Sequence, residues 1–195
     1  MKSVVKPSRV EGTIRAPASK SYAQRALAAA LLAPGTSRLR NMTLCDDTEA
    51  AGGIVQSLGA HLSLDGRQCA ITGGLAPRDS TLNCGEAGLC MRMFGPIAAL
   101  HGNEVVLDGL PALRRRPVGF METTLRQLGA AVTSQHGHPP LRVRGPMTGG
   151  QAGVDGTVSS QFLTGLLMAL PVCRMDSVLH VRELKSRPYI AMTLE

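Results

Sequence analysis

"DDTEAAGGIVQSLGAHLSL", residues 46–64, is answered seventy positions later by "RPVGFMETTLRQLGAAVTS", residues 116–134. Each reads as a helix closed by Leu-Gly-Ala and followed by a strand: Leu58-Gly59-Ala60 in the first, Leu128-Gly129-Ala130 in the second. Glycine just past the last helical residue supplies the left-handed conformation that ends a helix at least cost. Beyond each copy the alternation of "HLSLDGRQCAITG" and "AVTSQHGHPPLRVRG" predicts further strands.

A second theme occurs three times: "PASKSYAQRALAAALLAPGTSRLRNM" (17–42), "CGEAGLCMRMFGPIAALHGNEVVLDGL" (84–110) and "DGTVSSQFLTGLLMALPVCRMDSVLHVREL" (155–184). Each has a small or polar turn, about a dozen helix formers, a break and a short strand such as "SRLRN", "NEVVLDG" or "SVLHVRE". The unit is therefore βαβαββ with a period of about 70 residues, longer than common solenoid repeats. The repeats fall at about 12–78, 79–148 and 149–195. In the third, "SRPYIAMTLE" starts the second helix and the chain then ends, so the repeat is expected to be unfinished and the chain truncated. The fold class expected is α+β.

The chain has 195 residues, 44% of them hydrophobic and 18% charged, which predicts a folded protein with a substantial core. Aromatics make up 3% with no Trp, against a base-stacking surface for nucleic acid. A net charge of +7 fits an anionic partner, or a protein that is merely basic. Five cysteines without a CxxC pair, and a start "MKSVVKPSRV" without leader character, predict reduced thiols and a cytoplasmic protein. The apolar runs are too short for a membrane span. The five histidines show no HExxH or other metal spacing, so no metal is expected.

The three repeat openings, Ser19-Lys20-Ser21, Glu86-Ala87-Gly88 and Ser159-Ser160-Gln161, each precede a helix. Free N–H groups and the helix dipole make each a potential anion site, although a serine there is usually only a cap. The first adds Lys20 in the first turn, where the dipole disfavours a cation, and Arg25 four residues after Ser21 on the same face. Two cations and a hydroxyl suit phosphate. The run "ALRRRPVGF" (112–120) is a solvated turn or presents one arginine inward; Arg116, before a helix that Pro117 is expected to initiate, is the choice for gripping a carboxylate. No GxSxG elbow, P-loop or GxGxxG is present, so Ser159 and Ser160 read as binding groups rather than nucleophiles. Cys90 near a helix start reads as a small buried residue, with an activated thiol as the alternative.

Taken together, "GTIRAPASKSYAQRAL", "CGEAGLCMRMF", "RRRPVG", "VDGTVSSQFLTGLLMALP" and "KSRPYIAMTL" resemble the enolpyruvyl transferases, and among them the 5-enolpyruvylshikimate-3-phosphate synthases, in family order over nearly the whole chain. The resemblance implies an inside-out α/β barrel domain of βαβαββ units with helices in the core. Residues 1–11 would form a strand donated to a second domain and residues 12–195 the transferase domain. It further implies transfer of the enolpyruvyl group of phosphoenolpyruvate to the 5-hydroxyl of shikimate 3-phosphate, in the shikimate pathway of aromatic amino-acid biosynthesis. No cofactor or metal is needed, and the full-length protein would be a monomer that binds neither nucleic acid nor membrane.

By the same resemblance Lys20 contacts both substrates and is the one residue here placed at the chemistry. Ser21 and Arg25 hold the shikimate portion, Ser159 and Ser160 its 3-phosphate, and Gln161 lies between the substrates. Ser186 binds shikimate 3-phosphate with Tyr189 nearby, and Gly88 and Arg116 bind phosphoenolpyruvate. The acid–base groups belong to the second domain, so this chain alone is expected to be inactive. The family's Asn-Ala-Gly-Thr is Glu86-Ala87-Gly88-Leu89 here and its Arg-Pro pair is Arg92-Met93, which implies weaker inhibition by glyphosate, the family's inhibitor. The related UDP-N-acetylglucosamine enolpyruvyl transferases carry Lys-Asn where this chain has Lys20-Ser21, and a Cys near the arginine motif that "LPALRRRPVGF" lacks. A nucleic-acid module built on Arg114–Arg116 lacks any supporting motif.

Overall fold

The computed structural model describes residues 3–195, and its elements follow the repeat. The first unit runs α1 (Lys20–Leu32), β1 (Thr36–Leu39), α2 (Asp46–Ser57), β2 (His61–Asp65) and β3 (Gln68–Thr72). The second is complete: β4 (Thr81–Asn83), α3 (Gly88–Ala98), β5 (Glu104–Asp108), a single turn α4 (Pro111–Arg114), α5 (Phe120–Gln127), β6 (Ala131–Gln135) and β7 (His138–Arg144). The third runs β8 (Gly150–Asp155), α6 (Ser160–Ala169), β9 (Ser177–Arg182) and α7 (Arg187–Leu194), with a 3₁₀ turn at Leu170–Val172.

Local chemistry explains the boundaries. Ser19 caps α1, its Oγ accepting from the Tyr22 N–H at 3.4 Å, and the Ala/Leu run that follows has the strongest helix propensity available. α2 carries Asp46, Asp47 and Glu49 in its first turn, on the favourable side of the dipole. The two Leu-Gly-Ala stops turn as expected, with φ of +115° at Gly59 and +95° at Gly129.

Three sheets form, ordered β1-β3-β2, β4-β5-β7-β6 and β8-β9. In the second and third units the first two strands pair in parallel, β4 with β5 and β8 with β9, whereas the hairpin pairs β2–β3 and β6–β7 are antiparallel. The core lies among the helices. Leu27 and Leu31 of α1, Met91, Met93, Phe94 and Ile97 of α3, and Phe162 of α6 are all fully buried. α6 crosses α3 at Gly165, where a Cβ would fall 2.5 Å from the Met93 carbonyl oxygen. The sheets lie outside and turn Val105, Leu107, Leu141, Val143, Ala152 and Val154 inward. Helices are thus wrapped by sheets, as the resemblance implied.

Two expectations need correction. The first unit, expected from about residue 12, lacks its opening strand: residues 12–19 hold no regular structure, Ile14 is exposed, and β1 has no second neighbour among the described residues. Apolar character alone does not make a strand without a ladder to join. Nor does Pro117 start a helix; α5 begins at Phe120. The N–H groups of Val118 and Gly119 both donate to the Gly137 carbonyl, at 2.8 and 2.9 Å, which pins this segment to the β6–β7 turn instead of letting it coil.

Candidate functional site

The N-termini of α6 and α7 open on one cleft of about 330 Å³. Its walls carry three cations, Arg25, Arg92 and Lys185, and the hydroxyls of Ser21, Thr157, Ser159, Ser160, Ser186 and Tyr189, but no carboxylate. A second cleft of about 400 Å³ beside Pro171 and Leu179 contains one cation, Arg174, and one anion, Asp176, and so offers no net charge to a ligand.

The strongest polar signal is Ser159. It is the N-cap residue of α6 in extended conformation and is 9% exposed, and its Oγ is buried with no hydrogen-bond partner among the described residues. A buried, unsatisfied hydroxyl costs about 1–3 kcal/mol. The first turn of α6 leaves N–H groups without helical partners at this end, and backbone dipoles there favour an anion. Gly156 lets the loop after β9 close over this end. A Cβ at Gly156 would fall 2.7 Å from the Arg182 carbonyl oxygen, and the Lys185 N–H donates to the Gly156 carbonyl at 3.2 Å. The loop thereby brings Lys185 and Ser186 to the cleft; Ser186 holds the left-handed conformation, φ +55°, as N-cap of α7.

Arg25 forms the opposite wall. Its guanidinium is buried and donates to the Ser21 carbonyl at 3.0 Å, Thr193 Oγ1 at 3.0 Å, Thr164 Oγ1 at 3.1 Å and the Tyr189 carbonyl at 3.4 Å. Every acceptor is neutral. Burial pulls its pKa below the ordinary arginine value, as expected for a cation removed from water without an anion. α1, α6 and α7 thus place and orient a positive charge that has no counter-ion among the described residues.

Lys20 differs. Its Nζ donates to Asp47 Oδ2, in the first turn of α2, at 2.7 Å, and this bond together with the charge of Asp47 raises its pKa. The lysine that seemed misplaced on its own helix therefore has an acidic neighbour on the next one. Asp47 thus offsets the unfavourable placement of Lys20 at the positive end of the α1 dipole. Lys20 is exposed and does not line the cleft.

Gly88 lies where three side chains converge. A Cβ on it would meet Arg116 Nη1 at 2.9 Å, Gln161 Oε1 at 3.6 Å and Arg92 Nη1 at 3.7 Å. Gln161 accepts from Arg92 Nη1 at 2.9 Å. Arg116 is itself exposed and stands beside this cluster; of its neighbours in the arginine run, Arg114 is committed to Asp108 at 2.6 Å.

Of the ten residues singled out in the sequence, Ser21, Arg25, Ser159, Ser160, Gln161, Ser186 and Tyr189 line the cleft; Gly88 and Arg116 adjoin it through Gln161 and Arg92; Lys20 stands apart on Asp47. Three others escaped the sequence reading. Arg92 lay in a quoted motif but drew attention only as half of an altered Arg-Pro pair. Lys185 lay beside Ser186. Asp47 carried a visible signal, an acidic first turn, with nothing to connect it to Lys20. Cys90 is fully buried and desolvation pushes its thiol up to about 12, so it is no nucleophile. Among the described residues no cluster of His, Cys, Asp and Glu is arranged to hold a metal, and no helix is long and apolar enough to cross a membrane.

Comparison with known proteins places the sequence and the fold in one family. The sequence profile of EPSP synthase (3-phosphoshikimate 1-carboxyvinyltransferase) matches residues 4–195. The 3-phosphoshikimate 1-carboxyvinyltransferase of Klebsiella pneumoniae subsp. pneumoniae is 42% identical over 96% of this chain, and that of Salmonella typhimurium is 43% identical over the same share. In each case the match takes in 46% of the relative, so the chain spans about half the length of the curated relatives it matches. The solved EPSP synthase of Acinetobacter baumannii superposes with a TM-score of 0.78 at 23% identity, over 89% of this chain and 41% of that one, which establishes the shared fold. The chain belongs to the EPSP synthase family.

Proposed function

We propose that this chain forms the shikimate-3-phosphate-binding half of an enolpyruvyl transferase that moves the enolpyruvyl group of phosphoenolpyruvate to the 5-hydroxyl of shikimate 3-phosphate. The observation that carries the reading is Ser159 at the α6 N-terminus, whose buried hydroxyl has no partner among the described residues, in the lining of a cleft with three cations and no carboxylate. A phosphate dianion answers all three features: it accepts from Ser159 and Ser160, from the free N–H groups of the helix turn, and from Lys185. Arg25 and Ser21 then face the carboxylate and ring hydroxyls of the shikimate portion. Gln161, Arg92, Gly88 and Arg116 stand where phosphoenolpyruvate would approach, and Lys20 swings to it from Asp47.

The cleft holds no carboxylate or histidine, so proton transfer falls to groups outside it. The 195-residue chain therefore binds shikimate 3-phosphate without turning it over. Leu89 lines the cleft as an apolar branched side chain, which supports the expectation of weak glyphosate inhibition. Calorimetric titration of the chain with shikimate 3-phosphate and with unphosphorylated shikimate tests the reading. Saturable 1:1 binding of the phosphorylated compound, at least tenfold tighter than shikimate, is expected. Equal affinity for the two, or turnover when phosphoenolpyruvate is added, contradicts it.

A further inference from the structure

Arg92 is the only residue of α3 that is not buried. Its guanidinium has no carboxylate partner among the described residues, and its charge meets that of Arg116. Burial first, and Arg116 second, pull its pKa below the ordinary arginine value. A long side chain in that position gains by swinging out to water, yet it stays in the cleft. Gln161 Oε1 accepts from its Nη1 at 2.9 Å, and the ring of Phe120 lies 5.9 Å from its Cζ, within reach of a cation–π contact.

The ring is itself held. Phe120 meets Phe162 edge to face, with centroids 5.7 Å apart and planes at 78°. Phe162 follows Gln161 on α6, so two successive residues of that helix grip Arg92, one directly and one through Phe120. The backbone before Phe120 is pinned by the bonds of Val118 and Gly119 to Gly137, and a Cβ at Gly119 would lie 2.9 Å from the Gly137 Cα. Arg116 stands at the head of the same segment. One short stretch, residues 116–120, thus presents one arginine of the pair and the aromatic ring that fixes the other.

We propose that Phe120 is a positioning residue whose ring holds the Arg92 guanidinium beside Arg116 and Gln161 in the empty site, so that the two arginines receive an anionic group of the substrate without rearrangement. The choice of ligand for its test rests on the shikimate 3-phosphate reading above; the positioning itself does not.

The test compares Phe120→Leu, which keeps apolar bulk and removes the ring face, with Phe120→Tyr, which keeps the ring. The Arg92 Nε–Hε resonance reports position, and calorimetry with phosphoenolpyruvate on the chain saturated with shikimate 3-phosphate reports affinity. In Phe120→Leu the resonance shifts toward that of an exposed arginine and exchanges faster with solvent, and the dissociation constant rises about threefold to tenfold. Phe120→Tyr restores both to within about twofold of the parent. In an Arg92→Met background Phe120→Leu costs no further affinity. Should Phe120→Leu fail to fold, Phe120→Met carries the same comparison. An unmoved Arg92 resonance in the leucine variant overturns the proposal, as does an equal loss of affinity in the Arg92→Met background. If the parent fails to bind shikimate 3-phosphate while its Arg92 resonance still answers to the ring, the ligand reading fails and the positioning role stands.

Discussion

Two helix N-termini in this molecule solve the same electrostatic problem in opposite ways. α1 opens on Lys20, a cation at the positive end of a dipole, and the protein supplies Asp47 from the first turn of α2 to answer it. α6 opens on Ser159, which is neutral, and the protein leaves its hydroxyl without a partner beside three cations. The charged terminus is the settled one and the uncharged terminus is the one that waits for an anion. The residue that looks most functional in a sequence is therefore not the one that the empty structure leaves wanting.

The largest effect expected from breaking this contrast is at Ser159. Ser159→Ala removes an orphan hydroxyl from the empty protein and a donor from the bound one. Thermal unfolding of the empty chain should hold or rise slightly, while affinity for shikimate 3-phosphate falls about tenfold to a hundredfold, the worth of a hydrogen bond to a charged group. A variant that loses stability and keeps affinity would make Ser159 a structural cap.

Gly88→Ala sharpens the comparison at the opening of α3. The added Cβ would lie 2.9 Å from Arg116 Nη1, the free end of a flexible side chain, so the arginine gives way and the fold does not. Stability should change by less than about 1 kcal/mol. An anion that engages Arg116 should bind several-fold more weakly, measured by phosphoenolpyruvate titration of the chain saturated with shikimate 3-phosphate.

The smallest effect is expected at the settled terminus. Lys20 is largely exposed, and such a pair is worth about 0–1 kcal/mol. Asp47→Asn should lower the melting temperature by no more than a few degrees, less so at high salt. The pH dependence has a definite sign. Asp47 raises the Lys20 pKa, so the contribution is complete below the ordinary lysine value of 10.5 and is lost only as pH rises through the higher folded value. The difference between parent and Asp47→Asn should be flat from pH 6 to pH 9, and unfolding curves across that range check it.

Much of this was legible in the chain. The Leu-Gly-Ala stops and the three small-residue helix openings, read together, carry the repeat, and the repeat carries the fold. Seven of the ten candidate residues line the cleft: Ser21, Arg25, Ser159, Ser160 and Gln161 stand at the helix openings that the repeat marks, and Ser186 and Tyr189 came from the family resemblance. What escaped depended on contacts between elements distant in sequence. The Lys20–Asp47 bond joins α1 to α2 across 27 residues, and Arg92 meets Gln161 across 69. No periodicity records such pairings. Arg92 also stands in a helix otherwise buried throughout, where its exception to the pattern was the available signal. Pro117 misled for the opposite reason: proline suits a first helical turn, but two bonds to the Gly137 carbonyl outweighed that local preference. The opening strand of the first unit was expected from the repeat but does not form among the described residues, because a strand is a property of a pair, and β1 has no parallel neighbour to match that of β5 or β9.

The central claim, that an anion belongs at the α6 and α7 openings, is tested most directly by backbone amide spectra of the 195-residue chain during addition of shikimate 3-phosphate. The account predicts that the amides of Ser160, Gln161, Ser186 and Arg187 move most and saturate together at one equivalent, while those of Arg114 and Arg115 stay still. Shifts centred on Arg114–Arg116 that fade with added salt, or no saturable shift at α6, would contradict it.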